Sequence, residues 1–548
     1  MKTHHRRLRV QAGLAVVMAL AAAPVGATVW SSTATRAMSF EGATQHGLLA
    51  AGEPVHVVVS LRLRNGDDLN RFTTALLRPG SPSYGRFLSA RQFLDRYAPT
   101  QAQADAVAAH LRSAGFVNVD IAANRLLVSA DGTAGTVRKA FNTELASFEL
   151  DGRRGYANLR DAQVPGRLKG VVLSVLGLQT MDRFSSQARI APQAPAVQAT
   201  KRGFNPTEFP KLYGLNSTPT ASQTTVGIIT QGDMSQTVAD LHQFESQNAL
   251  PTINPMIVNI GNASSDTSGT IEWDLDSQDI QAMAGGSLQD MIFYTANTLS
   301  NANITSAYNR AVSDNTAKLI NVSLGECETS AQSDGTMAAD DQIFQTAIAQ
   351  GQIFSVSSGD SGSHECRALF KYRGNAKQSY PASSPYVVAV GGTSVYADAN
   401  GNWSSETAWS GSGGGPSTIE SQPSWQNGVV SGSARGVPDV ALAADPSTGA
   451  VIVYKGGSQQ VGGTSLASPL FVGMWARFES ANGNGLVFPN PGLYQYLPAN
   501  GNLIHDVTSG SNGGFNPYTA GSGWDYVTGF GSPVGDALGG FVGSHSGF

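Results

Sequence analysis

Apolar and polar residues follow two different rhythms along this chain, one on each side of a break near residue 190. On the first side, residues 55–63 run apolar as a strand and 67–77 continue at helical spacing. A second helix is predicted over 101–114, and strands over 117–121 and 126–129 flank a turn at Ala123-Asn124. A short helix (133–141) and a strand (145–150) follow. That order suits a split βαβ, ferredoxin-like α+β domain. On the second side, strand-like and helix-like runs alternate: strand 226–230, helix 238–247, helix 272–284, strand 291–294, helix 306–312, strand 319–324, helix 338–349, strand 353–357 and strand 387–390. Such alternation predicts an α/β domain on a parallel, doubly wound sheet. Residues 411–458 are Gly/Ser-rich with short β segments, which predicts surface loops and hairpins.

Between the two rhythms, residues 185–200 are rich in Ala, Gln and Pro, as in Ala191-Pro192-Gln193-Ala194-Pro195. Such a segment cannot bury a core and is expected to be a cleavable linker. At the start, Lys2, Arg6, Arg7 and Arg9 precede an apolar stretch at 12–23 and the small-residue site Val25-Gly26-Ala27. This is the pattern of an export signal, and about 12 apolar residues are too few to span a bilayer. Arg6-Arg7 hints at twin-arginine export, although the residues after it fit that signal poorly. The expected organisation is therefore signal 1–27, α+β domain 28–184, linker 185–204 and α/β domain 205–548, in a secreted, extracellular protein without a membrane span.

Charge and cysteine usage sharpen this picture. Residues 28–200 hold 19 Lys+Arg against 13 Asp+Glu, and residues 201–548 hold 12 against 27. A basic segment ahead of an acidic body predicts two parts that attract each other, and it argues against nucleic-acid binding by the larger part. Cys327 and Cys366 are the two cysteines. Export to an oxidising compartment favours one disulfide over two thiols, and neither has the CxxC partner a zinc site would use.

The stretch Gly462-Gly463-Thr464-Ser465-Leu466-Ala467-Ser468-Pro469 leads into an apolar run at helical spacing. It sets Ser465 at a helix N-terminus, where backbone N–H groups and the helix dipole favour a developing oxyanion. Glu272 and Asp276 are four apart in a predicted helix, with Asp279 near the same face. Two like charges at that spacing favour a shared proton and so an acid/base pair. Outside the signal and the first domain the histidines are His242, His364, His505 and His545. None stands in the HGT setting that supplies the base in subtilisins, so Glu272 backed by Asp276 is the candidate proton acceptor for Ser465. Val356-Ser357-Ser358-Gly359-Asp360-Ser361-Gly362 follows a predicted strand, where parallel sheets place their sites. An ionised Asp360 would repel an oxyanion, so it can help only when protonated. A glutamate base also stays partly ionised at about pH 3–5, where a histidine would be protonated. Both points predict activity in acid.

The octet resembles the nucleophile motif of subtilisin-fold peptidases. With Glu272, Asp276 and Asp360 in the same order and local motifs, the chain resembles the serine-carboxyl peptidases, the sedolisin family. Ser81-Pro82-Ser83-Tyr84-Gly85-Arg86-Phe87-Leu88 is similar to that family's activation-domain motif. The resemblance implies a subtilisin-like catalytic domain preceded by a prodomain that serves as intramolecular inhibitor and folding aid. It implies an endopeptidase acting on proteins and peptides as a self-processing proenzyme, expected to be a monomer. Ser465 would attack the peptide carbonyl, Glu272 would be base and then acid, Asp276 would orient it, and Asp360 with the Ser465 N–H would bind the oxyanion. Ser323, Leu324 and Gly325 resemble the edge that pairs with substrate backbone. By the same resemblance Cys327 and Cys366 form a disulfide beside the site. Glu326 stands where an aromatic is expected, which bears on pocket preference. Asp506, Val507, Gly521, Gly523 and Asp525 are similar to the family's calcium site, a hard-oxygen set suited to one structural Ca²⁺. Two alternatives remain at this stage: a non-catalytic secreted binding protein on the same fold, and a neutral Ser-His-Asp hydrolase.

Overall fold

The computed structural model describes Met1 and residues 29–191, 202–368 and 377–548, apart from positions 39, 41 and 515. The expected export signal and residues 192–201 of the expected linker lie outside the described residues.

An eight-stranded sheet forms the large domain. Its spatial order is Met256–Ile260, Leu288–Ala296, Ala221–Gln231, Leu319–Val322, Ile353–Ser357 and Val388–Ala397. Val440–Ala443 and Trp403–Ala408 both pair with that last strand, and Trp403–Ala408 is the antiparallel member. The other pairings are parallel. Central strands are apolar nearly throughout (Val226, Ile228, Ile229; Leu319, Ile320, Val322) because helices cover both faces. The helix Thr464–Ala481 is buried from Thr464 through Ser480, the mark of a core helix and not an amphipathic surface one. Strand order reverses between Ala221–Gln231 and Leu319–Val322, so a crevice opens outside their carboxyl ends.

Two sequence expectations need amendment here. The strand expected over 319–324 ends at Val322, and Leu324–Cys327 leaves the main sheet to pair with Ser379–Tyr380. Ser323 is the pivot: its hydroxyl donates to Asp276 Oδ1 at 2.6 Å and receives the Asn321 side chain at 3.0 Å. Within 411–458, Val440–Ala443 is wholly buried in the main sheet and is no surface hairpin. Four small apolar residues give too short a pattern to reveal it.

The preceding domain carries a four-stranded antiparallel sheet ordered Val117–Ile121, Leu127–Thr133, Pro54–Leu61, Val172–Leu176. This is the ferredoxin-like arrangement expected from the pattern. Helices Gln101–Ala114 and Ala134–Phe141 start at Thr100 and Thr133, each closed by a capping box. They bury Leu111, Val137 and Phe141 against Val57, Val59 and Leu61. Val58, on the other face of the same strand, joins Leu69, Leu76 and Leu88 in a core continuous with the large domain.

The two domains therefore share an apolar seam. Around it, Leu63 N–H donates to Gln342 at 3.0 Å, Asn124 and Asn309 bond each other at 2.7 Å, and Gln179 donates to Asp334 at 2.7 Å. The 81–88 tract docks as a loop: Leu88 N–H donates to Ala349 O at 2.8 Å and the Tyr84 hydroxyl to Phe548 O at 3.0 Å. The charge attraction expected between the two parts is seen, among the described residues, at one ion pair, Arg189–Asp360 at 3.2 Å. Burial and neutral hydrogen bonds carry the rest.

Candidate active site

Two helices and two loops converge at the mouth of the crevice. The helix Thr270–Met283 buries Glu272, Asp274, Asp276 and Asp279 completely. Their burial excludes an acidic helix face solvated by water. Loops after two adjacent strands bring Ser323 and Asp360. The helix Thr464–Ala481 brings Ser465 in its first turn, after Gly463 at φ +107°. Only glycine takes that backbone angle without strain, and a β-carbon there would lie 2.0 Å from Gln187 O and 2.7 Å from Asp360 Oδ2.

The Ser465 hydroxyl lies 3.4 Å from Ser323 O, and it is one of the groups that pull on the Glu272 carboxyl. Burial pushes Glu272 up to about 7, against the pull of the Ser186 and Ser465 hydroxyls and the Ala188 N–H. Asp276 is raised well above the usual carboxylate range, first by burial and then by the neighbouring Glu272 charge. Glu272 Oε1 and Asp276 Oδ2 are buried without a hydrogen-bond partner among the described residues. Two such oxygens on one helix face can share one proton. Asp360 is pushed up to about 6 by burial, against the Thr464 N–H at 2.8 Å and the Arg189 guanidinium. The hydrogen-bond partners of Glu272 and Ser465 among the described residues include no histidine. His242 is tied to Ile253 O, and His505 is stacked on Trp403 at 3.7 Å with its pKa lowered to about 4 by burial.

The expected linker is not featureless where it is described. Ser185–Ser186 adds antiparallel to Leu324–Cys327, pairing Ser185 with Gly325 and Ser186 with Leu324. Arg189–Ile190 pairs with the strand Gly457–Gly462. Between them Gln187 N–H reaches Ser323 O at 3.4 Å, and Ala188 N–H donates to Glu272 Oε2 at 2.8 Å. The Ser186 hydroxyl also contacts that carboxylate oxygen. Residues 185–190 thus run through the crevice as an added strand, on the Ser323-Leu324-Gly325 edge singled out from the sequence.

Sequence reasoning did not identify Ser186, Ala188 or Arg189, because composition alone marked this segment as unstructured. Glu365 was also missed; its carboxyl accepts from Ser361 N–H at 2.7 Å beneath the Asp360 turn and is pushed up to about 8 by burial. Cys327 and Cys366 form a disulfide with Cα atoms 4.7 Å apart, joining the crevice edge to the loop after Asp360.

At the far end, Asp506 Oδ2 accepts from Gly523 N–H at 2.9 Å, and Asp525 Oδ2 accepts from Gly521 N–H at 2.9 Å. Both carboxylates therefore converge on the 521–525 turn. Two carboxylates with carbonyls from glycine-rich backbone are chemically fit to hold a hard divalent cation.

Comparison with known proteins identifies the two domains. Residues 41–181 match the pro-kumamolisin activation domain, and residues 285–491 match the subtilase family. The chain is 48% identical to sedolisin of Pseudomonas sp. (strain 101), over 95% of this chain and 93% of that one. It is 45% identical to xanthomonalisin of Xanthomonas sp. (strain T-22), over 88% of this chain and 65% of that one, so it spans just under two thirds of that relative. A solved structure of Pseudomonas sedolisin, a serine-carboxyl proteinase complexed with two molecules of pseudo-iodotyrostatin, is 49% identical with a TM-score of 0.62. That match covers 64% of this chain and all of the other.

Proposed function

The chain belongs to the sedolisin family of serine-carboxyl peptidases and carries an activation prodomain, and from that premise we propose that it is a secreted, acid-active endopeptidase made as a self-processing proenzyme. The observation that carries the reading is the buried Glu272 carboxyl, which accepts the peptide N–H of Ala188 from the strand that also runs past the Ser465 hydroxyl.

Ser465 is the nucleophile. Glu272 takes its proton as Oγ attacks the carbonyl carbon, and Asp276 receives part of that charge through the shared proton. The oxyanion forms beside the first turn of the serine helix, where the Ser465 N–H and a protonated Asp360 donate to it. Glu272 then returns the proton to the leaving nitrogen. Water, deprotonated by the same carboxylate, cleaves the acyl ester. Substrate backbone lies along Ser323, Leu324 and Gly325 by strand addition, the route the prodomain linker occupies in the proenzyme. Occupation of that route is what makes the prodomain an inhibitor. Asp506, Val507, Gly521, Gly523 and Asp525 would hold one Ca²⁺, which supplies loop rigidity and takes no part in the chemistry. Among the described residues no helix is long and apolar enough to cross a membrane. Residues 1–27 read as an export signal, and the proposed location is extracellular.

The test is acidification of purified proenzyme beside Ser465→Ala and Glu272→Gln. Wild type is expected to process and to hydrolyse peptide substrates in acid, and each variant to lose at least about 10³-fold in kcat/KM, about 4 kcal/mol. Activity peaking near neutral pH would refute the carboxyl mechanism, and processing of Ser465→Ala in a protease-free preparation would refute self-processing.

A further inference from the structure

We propose that the first bond cut in this chain is its own Gln187–Ala188 bond, cleaved in cis by Ser465. The inference rests on the functional reading above and adds what that reading leaves open, the processing bond.

Three contacts set the register. Ser323 O receives the Gln187 N–H and lies 3.4 Å from the Ser465 hydroxyl, so the nucleophile and residue 187 meet at one backbone atom. Gln187 O lies against Gly463, two residues before Ser465, 2.0 Å from where a side chain at 463 would begin. Ala188 N–H donates to Glu272 Oε2 at 2.8 Å, so the nitrogen that must leave already touches the group that must protonate it. A shift of one residue either way would break all three, and would also turn the linker's side chains to the opposite face. Side-chain seating agrees. Gln187 is 6% exposed, and its amide lies 2.9 Å from where a β-carbon on Gly325 would stand, a pocket also lined by Ser379.

In the step itself, the Ser465 Oγ–C bond to Gln187 forms and the C–N bond to Ala188 breaks. The serine proton passes through Glu272 to the Ala188 nitrogen, which leaves as a free α-amine. Water then hydrolyses the ester, leaving a carboxyl group on Gln187 and restoring Ser465. Burial raises Asp360 above the usual carboxylate range, so the oxyanion donor gains its proton as pH falls, in keeping with a linker that stays intact near neutrality and is cut in acid.

Acidified full-length proenzyme, quenched at short times and read by intact mass and N-terminal sequencing, tests the assignment. The earliest new N-terminus is expected at Ala188, appearing at a rate independent of proenzyme concentration. Ala188→Pro has no N–H to give Glu272 and is expected to slow that first cut at least tenfold, the cost of one lost hydrogen bond of about 1.4 kcal/mol. Ala188→Pro proenzyme matured by added wild-type enzyme should hydrolyse a peptide substrate at the wild-type rate, which separates a blocked bond from a misfolded chain. An earliest cut elsewhere in an enzyme that is active on peptides would overturn the register while leaving the function intact. An acidified wild type that neither processes nor hydrolyses peptides would overturn both.

Discussion

Arg189 shows how one residue of the linker can act on the site it covers. Its guanidinium lies 3.2 Å from Asp360 Oδ2, and Asp360 also accepts from the Thr464 N–H and hydroxyl. Burial raises Asp360 to about 6 in spite of these partners, and Arg189 is one of the groups holding it down. An aspartate kept ionised by an arginine cannot donate to an oxyanion. Removing the positive charge favours the protonated form, so Arg189→Gln proenzyme should begin processing at higher pH than wild type. At a pH just above the wild-type onset its first cut should be faster by up to about tenfold, the effect of one pKa unit. Arg189→Lys keeps the charge and should restore the wild-type profile. A parallel loss of rate at every pH in Arg189→Gln would mean that the side chain only seats the linker.

Among the elements, the edge Leu324–Cys327 has the most demanding position: it leaves the main sheet at Ser323 and must still present a straight edge to the incoming strand. Its far end is tied by Cys327–Cys366 across 39 residues. Closing a loop of that length removes about 4 kcal/mol of unfolded-state entropy, and realised gains are commonly about 2–4 kcal/mol. The pair Cys327→Ser with Cys366→Ser should lose about that much in denaturant unfolding. On the proposed mechanism the tie holds the binding edge and not the proton relay, so KM for peptides should rise more than kcat falls. The 521–525 turn gives a second test at this scale. Chelation of divalent cations should lower Tm by several degrees, and Asp525→Asn should lower Tm and abolish the response to added Ca²⁺. An unchanged Tm on chelation and re-addition would remove calcium from the account.

The sequence made different parts of this arrangement visible for physical reasons. Glu272 and Asp276 were legible because helical period fixes which side chains share a face, and Ser465 because small residues before an apolar helix leave a distinctive trace. Ser323 was legible as a strand edge, but its bond to Asp276 joins residues 47 apart and has no local signature. The segment 185–190 was read as featureless because its order comes from pairing with strands at 324–327 and 457–462, not from its own side chains. Strand Val440–Ala443 was lost for a similar reason, being held by a neighbour and too short to show a period.

Taken as a whole, the molecule is a store of buried carboxyl groups, and this sets how its stability responds to pH. Burial pushes Asp182 and Glu479 up to about 7, Asp341 to about 6, Asp274 and Glu420 to about 9, in addition to Glu272 and Asp360 at the site. Glu326 is raised well above its usual value by burial and then by the charges of Asp334 and Asp182, so the seam between prodomain and peptidase domain gathers acids from both sides. Attraction between a basic and an acidic part, as the sequence predicts, would weaken as acid neutralises carboxylates, and these groups give the opposite sign. A carboxyl whose pKa is higher folded than unfolded contributes its full stability below the unfolded value of about 4, and loses it as pH rises through the folded value. Here that window runs from about pH 4 to about pH 9, set by the shifts just given. On the proposed mechanism acid would trigger the proenzyme by protonating Asp360, the oxyanion donor, with the prodomain still docked until the linker is cut. The measurement is thermal unfolding of Ser465→Ala proenzyme, which cannot process, at pH 4.5 and pH 8. Its Tm should be higher in acid by roughly 5 °C or more. A proenzyme that melts earlier in acid, with the prodomain released before any bond is broken, would return the switch to the interface charges.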